Sequence, residues 1–367
     1  MFGPKLHVCL MVTIVVGHHA VCATADVRPN IIFILVDDAG WGDLTAYGGH
    51  PKLQTPHLDR LGRQGAVFKQ FYVNAPKCSP SRAALMTGLF PAQLRIHREI
   101  RNNDPFLDPR VMTVTRLLQQ SGYTTALFGK WHLGQHKQHA PPPGDYGIDV
   151  HRTTHSTGPN FNAHKTDKFF KTRSTDLFVD EAIRFIETHR DGPFYLNLWT
   201  EAPHNPLIPT PEQLDPYKAM EPGRREYYAV MTAMDAAIGR FLVRLDELML
   251  TQNTIVIFSS DNGPAWRGAW GSNGSFRGRK QSLYEGGIRM PFIVRWPGRI
   301  AAERVDTESV IADVDLLPTL CALANVALPD GMSFDGEDVS DMLLERARPR
   351  RASRSCGSSG FSTPIRS

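Results

Sequence analysis

Cysteine is scarce, with five residues in a chain of 367. That is too few, and too scattered, for a disulfide framework. Apolar runs are short: Val8–Val16 (VCLMVTIVV) has nine residues, against the ~20 a membrane-spanning helix needs. No segment repeats at a solenoid or propeller period. Charge of one sign is also lacking in the body of the chain. The formal net charge is +4, but residues 346–367 hold six arginines and no acid, and residues 1–25 hold one lysine and no acid. Residues 26–345 therefore keep 34 basic residues against all 37 acidic ones, a net charge of −3. A basic tail alone gives only salt-sensitive, non-specific binding, so a nucleic-acid partner is excluded.

The ends of the chain carry their own signals. Lys5, the run Val8–Val16 and the small residues Ala23-Thr24-Ala25 read as a secretory signal over residues 1–25. The expectation is an exported protein without stable membrane insertion, in a periplasmic, extracellular or lysosomal-type compartment. Cys9 and Cys22 fall in that signal, and Cys356 falls in the Arg/Ser-rich tail 346–367. The tail offers little to bury and is expected to be disordered, either as a solvated arm or as the mark of a shifted or truncated reading frame. Cys321 sits in an apolar helical pattern (DLLPTLCALANV) and reads as a core residue. Cys78, in a loop rich in proline and serine, needs another explanation.

Between the ends, strands and helices alternate. Asn30–Val36 (NIIFILV) is continuously apolar and β-branched, the pattern of a strand buried on both faces. Further strands are expected at Tyr123–Phe128, Phe194–Trp199, Thr254–Ser260 and Phe292–Arg295. Helices are expected at Arg110–Gln120, Ser174–His189, about Glu226–Leu250 and Val314–Asn325, with a short one at Ala83–Thr87. On Ser174–His189, Leu177, Phe178, Ala182, Phe185 and Ile186 form the apolar face. Such alternation predicts an α/β domain over 26–345, with a largely parallel central sheet and helices on both faces. Ligands of such sheets bind beyond the carboxyl ends of the strands.

The polar motifs fall there. Asp37-Asp38 ends the first strand, and Asp261-Asn262-Gly263 ends the strand at 254–260. One such pair alone is also a turn or a helix cap. Two, each directly after a buried strand, make an oxygen-rich anionic set suited to a hard divalent cation. Cys78-Ser79-Pro80-Ser81-Arg82 opens the short helix. A thiol at a helix N-terminus beside arginine is a candidate nucleophile, and a capping serine with an incidental cysteine is the plainer alternative. Lys130 and His132 (GKWH), His204 (APH) and Lys280 follow strands or lie in a glycine-rich loop. With Arg82 they place cationic and proton-carrying groups at the same edge, an arrangement that suits a tetrahedral oxyanion. His136, His139, His151 and His155 are candidates for a variable pocket, or simply solvated.

Taken together, these blocks resemble the type I sulfatases, which depend on Cα-formylglycine. CSPSR at 78–82 looks like the family's C-x-P-x-R signature. PNIIFILVDDAGWG at 29–42, GKWH at 129–132, SDNG at 260–263 and GGIRMPFIVRWPG at 286–298 look like its other blocks, in the same order. The resemblance, arylsulfatase-like and covering roughly residues 28–345, implies an alkaline-phosphatase-like α/β domain that hydrolyses organic sulfate esters. It implies that a formylglycine-generating maturation enzyme oxidises Cys78, and that a hydroxyl of the hydrated aldehyde attacks sulfur while the second later expels sulfate. It aligns Asp37, Asp38, Asp261 and Asn262, with residue 78, as the site of Ca2+, Mg2+ being the alternative ion. Arg82 and Lys130 would hold the nucleophile, and His132 would take the proton that drives sulfate release. His204 and Lys280 would bind sulfate and protonate the leaving oxygen. The substrate would be a sulfated small molecule or glycan. The family pattern stops near Glu345, where relatives continue into a smaller domain, so that domain is expected to be mostly absent. A phosphonate or phosphodiester hydrolase of the same superfamily, and an inactive truncated product, are the alternative readings.

Overall fold

All seven positions of strand β1 (Asn30–Val36) are buried. It can be apolar on both faces because it lies inside the sheet, between β5 (Phe194–Trp199) and β6 (Thr254–Ser260), parallel to both. This computed structural model describes Gly3 and residues 28–101, 104–134, 140–154, 170–265 and 270–347. The expected signal at 1–25 apart from Gly3, Cys356, residues 348–367 of the tail, and His136, His139 and His155 lie outside the described residues. The remaining strands are β2 (Ala66–Tyr72), β3 (Thr124–Lys130), β4 (Val150–Thr154), β7 (Arg289–Arg295) and β8 (Arg304–Ala312). They form one sheet of eight strands in the order β4-β3-β5-β1-β6-β7-β2-β8. Only β7 runs against its neighbours.

Helices cover both faces, as the alternation predicts. The residues Ile31, Phe33 and Leu35 point to one core, shared with α2 (Cys78–Thr87), α3 (Val114–Gln120) and α8 (Leu316–Leu323). Ile32, Ile34 and Val36 point to the other, shared with α1 (Pro56–Arg63), α4 (Phe170–Thr188) and α6 (Arg224–Glu247). Three single-turn α-helices, α5 (Pro211–Leu214), α7 (Glu285–Ile288) and α9 (Ser340–Leu343), complete the α-helices among the described residues, with short 3-10 turns between elements. None of the described helices is long and apolar enough to cross a membrane.

Several boundaries differ from the sequence reading, each for a local reason. The helix expected from Arg110 begins at Val114, because the Thr113 side chain caps it by accepting from Arg116 N. The strand expected from Phe292 begins at Arg289. Pro291 interrupts the apolar pattern, yet its carbonyl accepts from Ser259 Oγ at 2.9 Å, and β7 pairs with β2 from Arg289. Leu177, expected on the apolar face of α4, is 40% exposed, whereas Phe178, Ala182, Phe185 and Ile186 are buried. Cys321 is fully buried. His151 lies on the edge strand β4 and is exposed.

Candidate active site

Four parallel strands deliver the motifs to one edge. The register Val36↔Ser260 sets Asp37-Asp38 beside Asp261-Asn262, and Asp261 Oδ1 accepts from Asp38 N at 3.2 Å. Lys130 ends β3, followed by His132, while His204 lies just past β5. Gly129 lets β3 approach β5 here: a Cβ at this residue would stand 1.8 Å from the Trp199 carbonyl oxygen, and its φ is +116°.

Cys78 begins α2 and is buried. Its Sγ lies 3.5 Å from Asp37 Oδ1 and 3.3 Å from Lys280 Nζ. Lys280 Nζ also donates to Asp38 Oδ1 at 2.6 Å, and Lys130 Nζ donates to Asp37 Oδ2 at 2.6 Å. Arg82, one turn along α2, donates from Nε and Nη2 to Asp261 Oδ2 at 3.0 and 2.8 Å, and from Nη1 to the Lys130 carbonyl at 2.6 Å. Its guanidinium sits 5.1 Å from the Trp199 ring centroid. His204 Nε2 is 3.6 Å from Asp38 Oδ2. His132 turns its carbonyl to α2, accepting from Ser79 Oγ at 2.8 Å. The residues expected from the sequence to be catalytic or metal-ligating thus lie at this one edge.

Electrostatics separates the groups. Burial would raise Asp37, but Lys130, His204, Lys280 and Arg82 hold its carboxyl well below the usual carboxylate range. Burial and the nearby Asp37 raise Asp261 to about 6, against Arg82. Burial pulls His204 down, against the pull of Asp37 and Asp38. The Cys78 thiol goes up: burial and Asp261 outweigh Lys130 and Lys280. Cys78 was a candidate for thiolate activation by a helix N-terminus and arginine. Its buried, acid-flanked setting overrides that, and the unmodified thiol is a poor nucleophile here.

The set suits a hard cation. One ligand atom each from Asp37, Asp38, Cys78 and His204 lies within 4.8 Å of the others. Asn262 gives its amide N–H to Asp38 Oδ1 at 2.7 Å and leaves Oδ1 buried without a hydrogen bond. An orphaned amide oxygen beside carboxylates is a donor awaiting a positive partner. Asp261 stands outside the tightest group, its Oδ2 taken twice by Arg82.

Against known proteins, residues 29–326 match the sulfatase family. The chain belongs to the sulfatase family. By that membership it is a sulfuric ester hydrolase. It is 34% identical over 358 residues to N-acetylgalactosamine-6-sulfatase of Rattus norvegicus, an alignment covering 88% of this chain and 67% of that one. The chain thus spans about two thirds of the length of such curated relatives. Its fold superposes on Ps i-CgsB in complex with k-i-k-neocarrahexaose with a TM-score of 0.80 at 28% identity, covering 88% of this chain and 77% of the other. The PsFucS1 sulfatase from Pseudoalteromonas sp. gives 0.77 at 28% identity, covering 88% and 74%.

Sequence reasoning passed over three residues beside this site. Asp313 accepts from Ser81 Oγ at 2.8 Å and from Asn74 N at 3.2 Å, tying α2 to the loop before it. Lys171 lies 3.2 Å from His204 Nδ1. Glu201 is fully buried, with Thr154, Lys171 and Lys130 acting on its carboxyl. Glu201 was discoverable, since it stands in the same TEAPH segment as His204. Lys171 carried no sequence signal.

Proposed function

We propose that the chain removes sulfate from a sugar, with residue 78 as the nucleophile after oxidation of its thiol to Cα-formylglycine. The carbohydrate reading draws on the rat relative, an N-acetylgalactosamine-6-sulfatase. The supporting observation is the meeting of Lys280 Nζ with both Asp38 and Cys78 Sγ, at 2.6 and 3.3 Å. One cation there addresses both a metal-type carboxylate and the nucleophilic position. Asp37, Asp38, Asp261 and Asn262, with residue 78, would hold Ca2+, or Mg2+ in its place. When bound, that ion polarises sulfate oxygens and favours the ionised nucleophile.

The chain's own residues account for the rest. Arg82 and Lys130 fix the carboxylates and hold the hydroxyls of residue 78. One hydroxyl oxygen forms a bond to sulfur as the bond from sulfur to the sugar oxygen breaks. His204 and Lys280 hold the sulfate, and the departing oxygen takes a proton from them. His132 then accepts the proton of the second hydroxyl, whose oxygen re-forms the carbonyl as sulfate leaves. Rate enhancements need ~8–23 kcal/mol of transition-state stabilisation, more than one donor supplies, and three cations with two imidazoles form a fitting set.

The test is mass spectrometry of the peptide containing residue 78, from chain co-produced with a formylglycine-generating enzyme, alongside assays on N-acetylgalactosamine 6-sulfate and phosphonate monoesters. The aldehyde and sulfate release are expected together. Turnover by chain whose residue 78 is entirely thiol would overturn the nucleophile, and preference for the phosphonate would overturn the substrate class.

A further inference from the structure

His204 is held from behind. Its Nε2 edge faces Asp38 at 3.6 Å, while its Nδ1 edge lies 2.7 Å from the Asn205 carbonyl and 3.2 Å from Lys171 Nζ. Lys171, in the first turn of α4, donates to that same Asn205 carbonyl. The three groups form a closed triangle in which the carbonyl is the shared acceptor. In the imidazolium form the Nδ1 proton points at Asn205, and the Nε2 proton, the one to be delivered, faces the reacting centre.

Nothing in the reaction outlined above uses Lys171 or Glu201, yet both are costly to keep. Burial draws the Lys171 ammonium down to about 8, and Glu201 is the foremost charge holding it up. Glu201 lies just past β5, three residues before His204, and is fully buried. Burial raises its carboxyl, against Thr154, Lys171 and Lys130, and a buried carboxyl of this kind is costly to keep.

We propose that Lys171 is a positioning residue that locks the His204 ring so that Nε2 meets the leaving oxygen of the sulfate ester. The inference rests on the role given to His204 above. Lys171 acts through the ring and the Asn205 carbonyl and touches no reacting atom. Without it, the ring is free to rotate about its side-chain bonds, and proton delivery to the departing oxygen becomes rare.

The dependence on leaving group separates this from a merely structural role. A sugar alkoxide needs a proton as it departs, whereas 4-nitrophenolate does not. Lys171→Met should lower kcat on N-acetylgalactosamine 6-sulfate by ~10²-fold, the lower range for a general acid. It should change kcat on 4-nitrophenyl sulfate by less than about threefold, with KM for both little moved. Lys171→Arg, which keeps a donor for the Asn205 carbonyl, should restore most of the loss. His204→Ala should slow both substrates, because His204 also holds the sulfate, but cost more on the sugar sulfate than on 4-nitrophenyl sulfate, and the double variant Lys171→Met/His204→Ala should be no slower than His204→Ala alone. Should Lys171→Met fail to fold, the comparison of Lys171→Gln, Lys171→Arg and wild type across the two substrates carries the test. Equal losses on both substrates, or losses that multiply in the double variant, would overturn the positioning role. If His204→Ala itself lacked the selectivity, the parent reading of His204 would fall and this inference with it. If His204→Ala had it and the Lys171 variant did not, this inference alone would fall.

Discussion

Lys130 donates to Asp37 over 2.6 Å with neither side chain reaching solvent. Buried pairs of this kind are asymmetric: keeping both charges is tolerable, but removing one leaves the other stranded. Lys130→Met should therefore destabilise the chain by ~3–5 kcal/mol in the presence of a chelator. Adding Asp37→Asn should recover most of that stability and none of the hydrolysis. Urea midpoints of the two variants decide it. A Lys130→Met midpoint equal to wild type would mean that the pair carries no such strain.

The two described cysteines, both unpaired and buried, should behave in opposite ways. Cys78→Ala should abolish ester hydrolysis while the chain stays folded, because the thiol packs at the edge of the polar cluster. Cys321→Ala should keep activity and lose about 1 kcal/mol of stability, a usual cost for a small buried side chain. Circular dichroism and turnover on the same preparations settle the matter. Equal inactivation of both would show that the wrong cysteine was assigned.

How far the sequence could be read follows from where each residue's partners lie. β1, β5 and β6 were legible to the residue, because a strand buried on both faces reads as a nearly continuous apolar run. β8 was not legible. It is an edge strand whose exposed positions carry Val305, Thr307 and Glu308 while Asp306 is buried, so it shows no clean alternation of apolar and polar residues. β2 was hidden by Lys69-Gln70, which fall where its pairing register shifts. The site was legible wherever a motif sits at the end of a legible strand. Lys171 was invisible, since nothing local relates a lysine at the start of α4 to a histidine 33 residues on.

Asn262 offers a direct test of cation binding that does not depend on turnover. Its buried Oδ1 lacks a partner, whereas its Nδ2 already serves Asp38. Ca2+ should raise the thermal midpoint of the chain, by mass action on the folded state. Asn262→Ala should diminish that rise, and Asp38→Asn should diminish it further by removing a charge. Scanning fluorimetry with Ca2+, Mg2+ and chelator provides the readout. A midpoint indifferent to both ions, with no metal found by elemental analysis, would remove these residues from any metal site.

Asp235 couples stability to pH at a place far from the chemistry. From α6 it caps α1, accepting from His57 N at 3.1 Å and Leu58 N at 2.8 Å. Burial, with the like charge of Asp59, raises it from 3.8 to about 7, although the two backbone donors oppose the rise. The folded state therefore keeps a proton that the unfolded chain releases above about pH 4. A raised carboxyl of this kind lends its full stability only below the unfolded value. That stability drains away as pH climbs toward 7, by at most ~1.4 kcal/mol per pH unit. Asparagine has no such proton to hold, and its amide can turn only one acceptor to the two backbone donors. Asp235→Asn should accordingly be least stable relative to wild type near pH 5, with the gap narrowing by pH 7.5. Urea unfolding of both chains across that range is the measurement. A constant gap would mean that Asp235 is ionised in the folded state throughout, and that its cap is an ordinary charged one.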